Sequence, residues 1–339
     1  MTARLTKLQE RIIAKLQRGL SICPKPFDEL AKKLGADEQT VLGEISALKQ
    51  QGIIRRISPL INYRAIGLVG TLVAAHVPED ILIPVANAVN ALPGVSHNYR
   101  RHHHYNLWFT LQSPSLGRID LTLEQLAGRF NLDLHSIPVE HTFKLGVFFD
   151  LQADDLSAVE DLPPAPTSQP VELNTQQKSI LSLLQRDLEV TSRPFDFLLD
   201  GVFTEREVLT TIIDLIDKGV IRRIAAVVDH RKLGFTANLM FCAAVPDDRI
   251  IEVGSHLARF RLVSHCYKRK TFELWPFNLY AMMHARTMGE IQDLITKFTD
   301  TCRLKAFELL PTIAEFKKQP VNHIFTHSSA FWPLPSQNT

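Results

Sequence analysis

The sequence predicts an α+β protein, a tandem repeat of a winged helix-turn-helix followed by a ferredoxin-like (βαββαβ) domain. Three observations lead there. First, GIIRRI at 52–57 returns as GVIRRI at 219–224, and VSHNYRR at 95–101 returns as VSHCYKR at 263–269, the same order at offsets of 167 and 168 residues. Two motifs repeated at nearly one spacing mark a duplication. Second, each copy opens with helical periodicity and passes into β-branched runs. Third, the two copies are separated by LPPAPTSQP, whose proline and serine without periodicity read as a linker.

Leu5–Gln17 carries apolar residues at 5, 8, 12, 13 and 16, which is helical spacing. Phe27–Leu34 reads as a short second helix stopped by Gly35. Asp37 is the expected N-cap of a third helix, to Gln50, with Val41, Ile45 and Leu48 on one face. Ile53–Ile57 then reads as the strand of a wing. Downstream, Gly67–Val77 is a strand, Asp80–Leu92 a helix, and Val95–Arg101 and Tyr105–Leu111 strands. Ser115–Phe130 is a helix, and Leu134–Phe149 a last strand or two. That order is the split βαβ pattern. The second copy repeats it: helices at Gln176–Leu184, Phe195–Leu199 and Thr204–Lys218, then strands and helices to Phe316. The expected boundaries are 1–64 and 172–231 for the winged modules and 65–153 and 232–326 for the ferredoxin-like ones. A linker spans 154–171 and a tail 327–339.

Net charge is +2 at neutral pH, so the overall basic balance of a nucleic-acid binder is absent. The four cysteines are scattered with no C-x-x-C pair, which argues against a zinc knot or a disulfide framework. The N-terminal stretch is charged throughout and lacks an apolar signal core, and no later run would span a bilayer. The expectation is a cytoplasmic protein with reduced thiols and no membrane partner.

Winged modules usually bind DNA, but these recognition helices are acidic. The third helix of the first copy has one lysine against Asp37, Glu38 and Glu44. Its counterpart has Arg206 and Lys218 against Glu205, Glu207, Asp214 and Asp217. A phosphate-lined groove calls for the opposite sign. The only basic features, Arg55-Arg56 and Arg222-Arg223, lie on the wings.

The chemistry concentrates in the two repeated hairpins. VSHNYRRHHHYNLWFTL (95–111) packs four histidines, two arginines and two tyrosines ahead of an apolar run, and VSHCYKRKTFELWPFNL (263–279) is its weaker copy. On one strand, His97, Tyr99, Arg101, His103 and Tyr105 would share a face. A turn near 101–104 places His102–His104 at or beside it, without ordinary turn residues. Solvated surface is the plain alternative for His102 and His104. A dedicated metal site fits poorly, because consecutive histidines cannot converge on one ion and no carboxylate is interleaved. The third reading is a pocket for an anion. Arginine forks carboxylates, histidine moves protons near neutrality, and aromatic rings supply flat walls. Arg101, His103, Tyr99 and Trp108 in one copy match it, as do His265, Tyr267, Arg269 and Trp275 in the other.

At the level of modules the sequence resembles the Lrp/AsnC regulators. Asn98, Tyr99, Arg101, His103 and the run from Tyr105 to Phe109, with Ser264–Tyr267, Arg269 and Trp275–Leu279, are more specific. They resemble the two subunit types of sirohaem decarboxylase fused head to tail, with Lys270 where proline is usual. The resemblance implies removal of CO2 from the C12 and C18 acetates of sirohaem, giving 12,18-didecarboxysirohaem for haem d1 or alternative haem formation. It implies no cofactor beyond the iron tetrapyrrole, and a homodimer or a pseudo-dimer within one chain. His103, Arg101, His265 and Arg269 are then the expected catalytic residues. Tyr99, His97, His102, Tyr105, Tyr267, Lys268 and Trp275 are the expected substrate contacts. A ligand- or haem-responsive regulator that binds DNA is the alternative.

Overall fold

A computed structural model describes residues 4–146, 149, 151, 169–199 and 201–323. The linker core and the tail expected above lie outside the described residues. The first copy opens with three helices, α1 (Lys7–Arg18), α2 (Pro26–Leu34) and α3 (Glu38–Gln50). Thr6 and Gln9 close a capping box on α1, and the Asp37 side chain accepts the Thr40 N–H on α3. Gly52 then adopts φ 66, and its counterpart Gly219 φ 69, the left-handed turn that ends each recognition helix.

The strand that follows α3 differs from expectation. β1 (Ile54–Ile61) is eight residues long and forms no local wing. It pairs antiparallel with β6 (Ile221–Val228), the same strand of the second copy, so the two wings merge into one ribbon. The backbone confirms the equivalence: Asn62 N donates to Val220 O and Asp229 N donates to Ile53 O. A lone strand leaves its ladder groups unpaired, and the duplicate supplies them.

The first ferredoxin-like module comprises β2 (Val69–Ala75), α4 (Leu82–Ala91), β3 (Val95–Arg101), β4 (Leu107–Ser113), α5 (Leu116–Phe130) and β5 (Leu134–Leu145). The second copy supplies α6 (Thr175–Leu184) and α7 (Glu205–Asp217) ahead of β6. It continues with β7 (Ala237–Ala243), α8 (Ile250–Ala258), β8 (Val263–Arg269), β9 (Leu279–Ala285), α9 (Met288–Cys302) and β10 (Phe307–Lys318). The helix expected at Phe195–Leu199 is a single 3₁₀ turn, Asp196–Leu198. Pro194 restricts the residue before it and cannot donate, and Gly201 at φ 86 reverses the chain soon after.

The two sheets do not remain separate. Their strands close into one barrel in the order β10-β3-β4-β2-β5-β8-β9-β7. β5 and β10 do the joining, since each is long enough to serve both sheets. β5 pairs with β2 up to Pro138 and with β8 from Val139. β10 pairs with β7 up to Pro311 and with β3 from Thr312. Proline removes one ladder donor, and it sits in both strands where the partner changes. Closure leaves neither sheet an open edge.

Candidate functional site at the barrel mouth

Strand alternation sorts the repeated motifs into inside and outside. On β3, Asn98 faces outward and donates to Ala86 O and Asn90 Oδ1 of α4, while His97, Tyr99 and Arg101 face the interior. On β8, Cys266 packs on α8 with Sγ 3.6 Å from Gly254 O, while His265, Tyr267 and Arg269 face inward. Lys268, expected as a substrate contact, is on the outer face and pairs with Glu140 at 3.3 Å and Asp247 at 3.1 Å. The motif's period of two explains this: the contacts belong to every second residue.

Arg101 and Arg269 each reach across to the other copy. Arg101 Nη1 donates to Leu310 O at 2.7 Å and to Thr312 Oγ1 at 3.1 Å. Arg269 Nη1 donates to Ile137 O at 2.9 Å. Both carbonyls immediately precede the prolines at which β10 and β5 change partner, so each arginine pins a barrel seam. Each leaves its Nε buried without a hydrogen-bond partner. Burial depresses both guanidinium pKa values, Arg101 to about 10.

Above these arginines, at the end facing the helices, lies a cavity of about 770 Å³ under the β1–β6 ribbon. Its size is that of a cofactor-sized pocket. His97, His265, His284 and His323 line it, with Arg56, Arg186, Arg222, Arg223 and Lys318, and no described lining residue is an acid. Burial is the main cause that holds the imidazoles neutral. His97 falls to about 4 and His265 to about 3, helped by Lys318 and Arg56 in the first case and by His97 and Arg222 in the second. His284 lies well below the ordinary range, again through burial and then through His230 beside it. Behind the wall, His230 packs edge-on to His284 with ring centroids 4.9 Å apart, and its Nδ1 lies 3.4 Å from Lys318 Nζ.

The far end of the barrel is an aromatic plug, and several predicted residues fall there. His103 lies six residues beyond His97, roughly 20 Å along an extended chain, in the bend between β3 and β4. Its Nδ1 accepts the Tyr105 N–H, and its ring meets Trp275 edge-on at 5.2 Å. Tyr105 and Trp275 are buried against Trp108 and Phe272. His102 is exposed at the same end. None of these residues lines the cavity; the strand ends before them, so they lose the alternation that keeps 97, 99 and 101 inside. Tyr99 and Arg101 lie inside the barrel but outside the cavity lining, whereas Tyr267 and Arg269 line a smaller adjoining hollow. His284, His230, Lys318 and the wing arginines were missed. The arginine pairs were visible as the only basic features, but their direction depends on the merged ribbon. His284 and His230 stand outside both repeated hairpin motifs.

The ferredoxin-like modules match the model of an AsnC-like ligand-binding domain at residues 65–144 and 232–317. The first helical module matches the helix-turn-helix domain of the sirohaem decarboxylase NirDL type at residues 9–55. A sirohaem decarboxylase of Hydrogenobacter thermophilus is 35% identical over 317 residues, 93% of this chain and 94% of that protein. The chain belongs to the sirohaem decarboxylase family. The crystal structure of the decarboxylase NirDL in co-complex with an iron-uroporphyrin III analogue superposes with a TM-score of 0.72 at 33% identity, covering 94% of this chain and 95% of that one. The sirohaem decarboxylase alpha subunit of Desulfovibrio desulfuricans, 37% identical, aligns along 88% of its own length but only 45% of this chain. The chain thus carries two subunit-sized halves, as its duplication and its closed barrel require. No helix among the described residues is long and apolar enough to cross a membrane.

Proposed function

We propose that the chain decarboxylates sirohaem at its C12 and C18 acetates, yielding 12,18-didecarboxysirohaem, and that it does so at the barrel mouth. One observation carries the reading: a cofactor-sized cavity with five cationic and four imidazole side chains and no acid among its described lining residues. Arg56, Arg222 and Lys318 are half-buried there and burial lowers the pKa of each, so an anion in the cavity would offset their desolvation. A flat ring bearing acetate and propionate carboxylates supplies that charge and matches the apolar part of the wall, including Phe149 and Ala226. The fusion of both halves favours the haem d1 route, and the free thiols among the described residues suit a reducing cytoplasm.

In each step the bond from the exocyclic carbon to the carboxylate breaks and CO2 leaves. The electron pair remains on that carbon, delocalised into the conjugated ring, and a proton completes the methyl group. The arginines fix which acetate faces the acid. His284, backed by His230 and Lys318, is placed to deliver the proton. Tyrosine and leucine occupy the equivalents of His230 and Lys318 in the other half, at Tyr63 and Leu145. The protein needs no cofactor of its own in this scheme.

Anaerobic incubation with sirohaem is expected to return a tetrapyrrole lighter by about 88 mass units, two CO2 at about 44 each. Unchanged mass would instead fit a carrier or a ligand-responsive regulator. Against the regulator stand the acidic recognition helices and the wing arginines, of which Arg56, Arg222 and Arg223 line the cavity while Arg55 pairs with Asp229.

The depressed imidazole pKa values predict a pH dependence of binding. In the free protein His97 and His265 titrate near 4 and 3, so both are neutral at pH 7. Incoming carboxylates favour the imidazolium form and raise those values. Binding therefore takes up protons, and affinity weakens as pH climbs through the raised values. The dissociation constant for sirohaem is expected to be several-fold larger at about pH 8 than at about pH 6. A flat or opposite trend in Soret titrations would remove the imidazoles from the binding site.

A further inference from the structure

The β1–β6 ribbon is two-fold symmetric in backbone but not in charge. Arg55 and Arg222 are equivalent through the repeated GIIRRI and GVIRRI segments. Arg55 lies 2.9 Å from Asp229 and 3.8 Å from Glu315. The residues that correspond to those two acids in the other half are Asn62 and Thr142. The register supports this, because Glu315 sits opposite Tyr99 just as Thr142 sits opposite Tyr267. Arg222 therefore lacks the pair of carboxylates that its twin possesses.

A hollow of about 240 Å³ stands at that place and shares Ile61, Ser96, Gln112, Leu145 and Arg222 with the wall of the larger cavity. Arg64, Arg222 and Arg269 line it with Tyr63 and Tyr267, and no described lining residue is an acid. Arg269 is 8% exposed, and the Nε atoms of Arg222 and Arg269 are both buried without a hydrogen-bond partner. Gly70 gives the Tyr63 ring its position, since a Cβ there would stand 3.0 Å from the Tyr63 hydroxyl; the equivalent residue in the other half is Asn238.

We propose that this hollow is a carboxylate subsite that takes an acidic side chain of the bound tetrapyrrole. Among the described residues there is one such subsite, because Asp229 and Glu315 fill the corresponding charge position in the other half. The inference rests on the sirohaem reading for its ligand, but the anion site itself does not. It orients the ring: one edge is gripped at Arg222 and Arg269, and the opposite edge faces His284 and Lys318.

The test installs in the open half what the closed half already holds. Asn62→Asp/Thr142→Glu is expected to keep or raise the melting temperature and to weaken sirohaem binding roughly tenfold or more in Soret titrations. Inorganic phosphate is expected to raise the melting temperature of the parent protein and not of the double variant. Should the double variant misfold, Arg222→Gln carries the same expectations. Full sirohaem affinity in the folded variant would overturn the subsite. So would a phosphate response that survives the substitutions. A parent that responds to phosphate, a variant that does not, and no lighter tetrapyrrole from either would retain the anion subsite and sink the decarboxylase reading.

Discussion

His284→Gln is expected to slow CO2 release from sirohaem by roughly 10²–10⁴-fold, the usual worth of a positioned general acid, while sirohaem affinity stays within about threefold of the parent. His284 lies on β9 and lines the cavity, where burial keeps its ring neutral. Asn238 Nδ2 is 3.4 Å from its Nδ1; a donation there leaves the imidazole proton on Nε2. His230 packs edge-on against the His284 ring, and its Nδ1 lies 3.4 Å from Nζ of Lys318, whose charge helps burial to hold both imidazoles neutral. Glutamine is the informative replacement because Gln112 occupies the equivalent position on β4, so the barrel accommodates that side chain. Single-turnover release of CO2 and equilibrium binding, measured on the same preparation, separate chemistry from affinity. Unchanged release would exclude His284 and leave His97 and His265, which also line the cavity, as the donors to test. A loss confined to affinity would make His284 a contact and not an acid.

Much of this arrangement could be read from the sequence, for physical reasons that differ by element. The period-two pattern of VSHNYRR placed His97, Tyr99 and Arg101 on one face, and the strand keeps them there. The duplication was visible as two motifs at nearly equal offsets, and every strand of one copy has its partner type in the other. Joining the copies could not be read locally. β1 looks like half of a wing because its ladder partner lies 160 or more residues away, at Ile221–Val228. The direction of Arg56 and Arg222 follows from that pairing and not from their own neighbours. His103 lies away from the cavity for the complementary reason. The histidine-rich run 102–104 lies past the end of the strand at Arg101, so its side chains are carried to the plugged end. Lys268 resembles the residues on either side of it in the motif, yet one step along a strand reverses the face.

Trp275→Ala is expected to cost about 3–5 kcal/mol of stability, the range for a large aromatic lost from a core. It is expected to leave sirohaem affinity of the folded fraction within about twofold. Trp275 is 2% exposed. Its indole donates to the Tyr280 hydroxyl at 2.6 Å, and its ring contacts Trp108, Tyr105, Phe277 and His103. These rings come from both copies, so the side chain ties the two hairpin ends together inside the barrel. Removing it leaves a void between them and an unpartnered Tyr280 hydroxyl whose ionisation burial already opposes. Denaturant unfolding gives the stability, and sirohaem titration well below the midpoint gives the affinity. A stable protein that binds sirohaem poorly would move Trp275 from the plug to the wall of the pocket. That result would also reopen His103, which leans on the Trp275 ring, as a group in contact with the substrate.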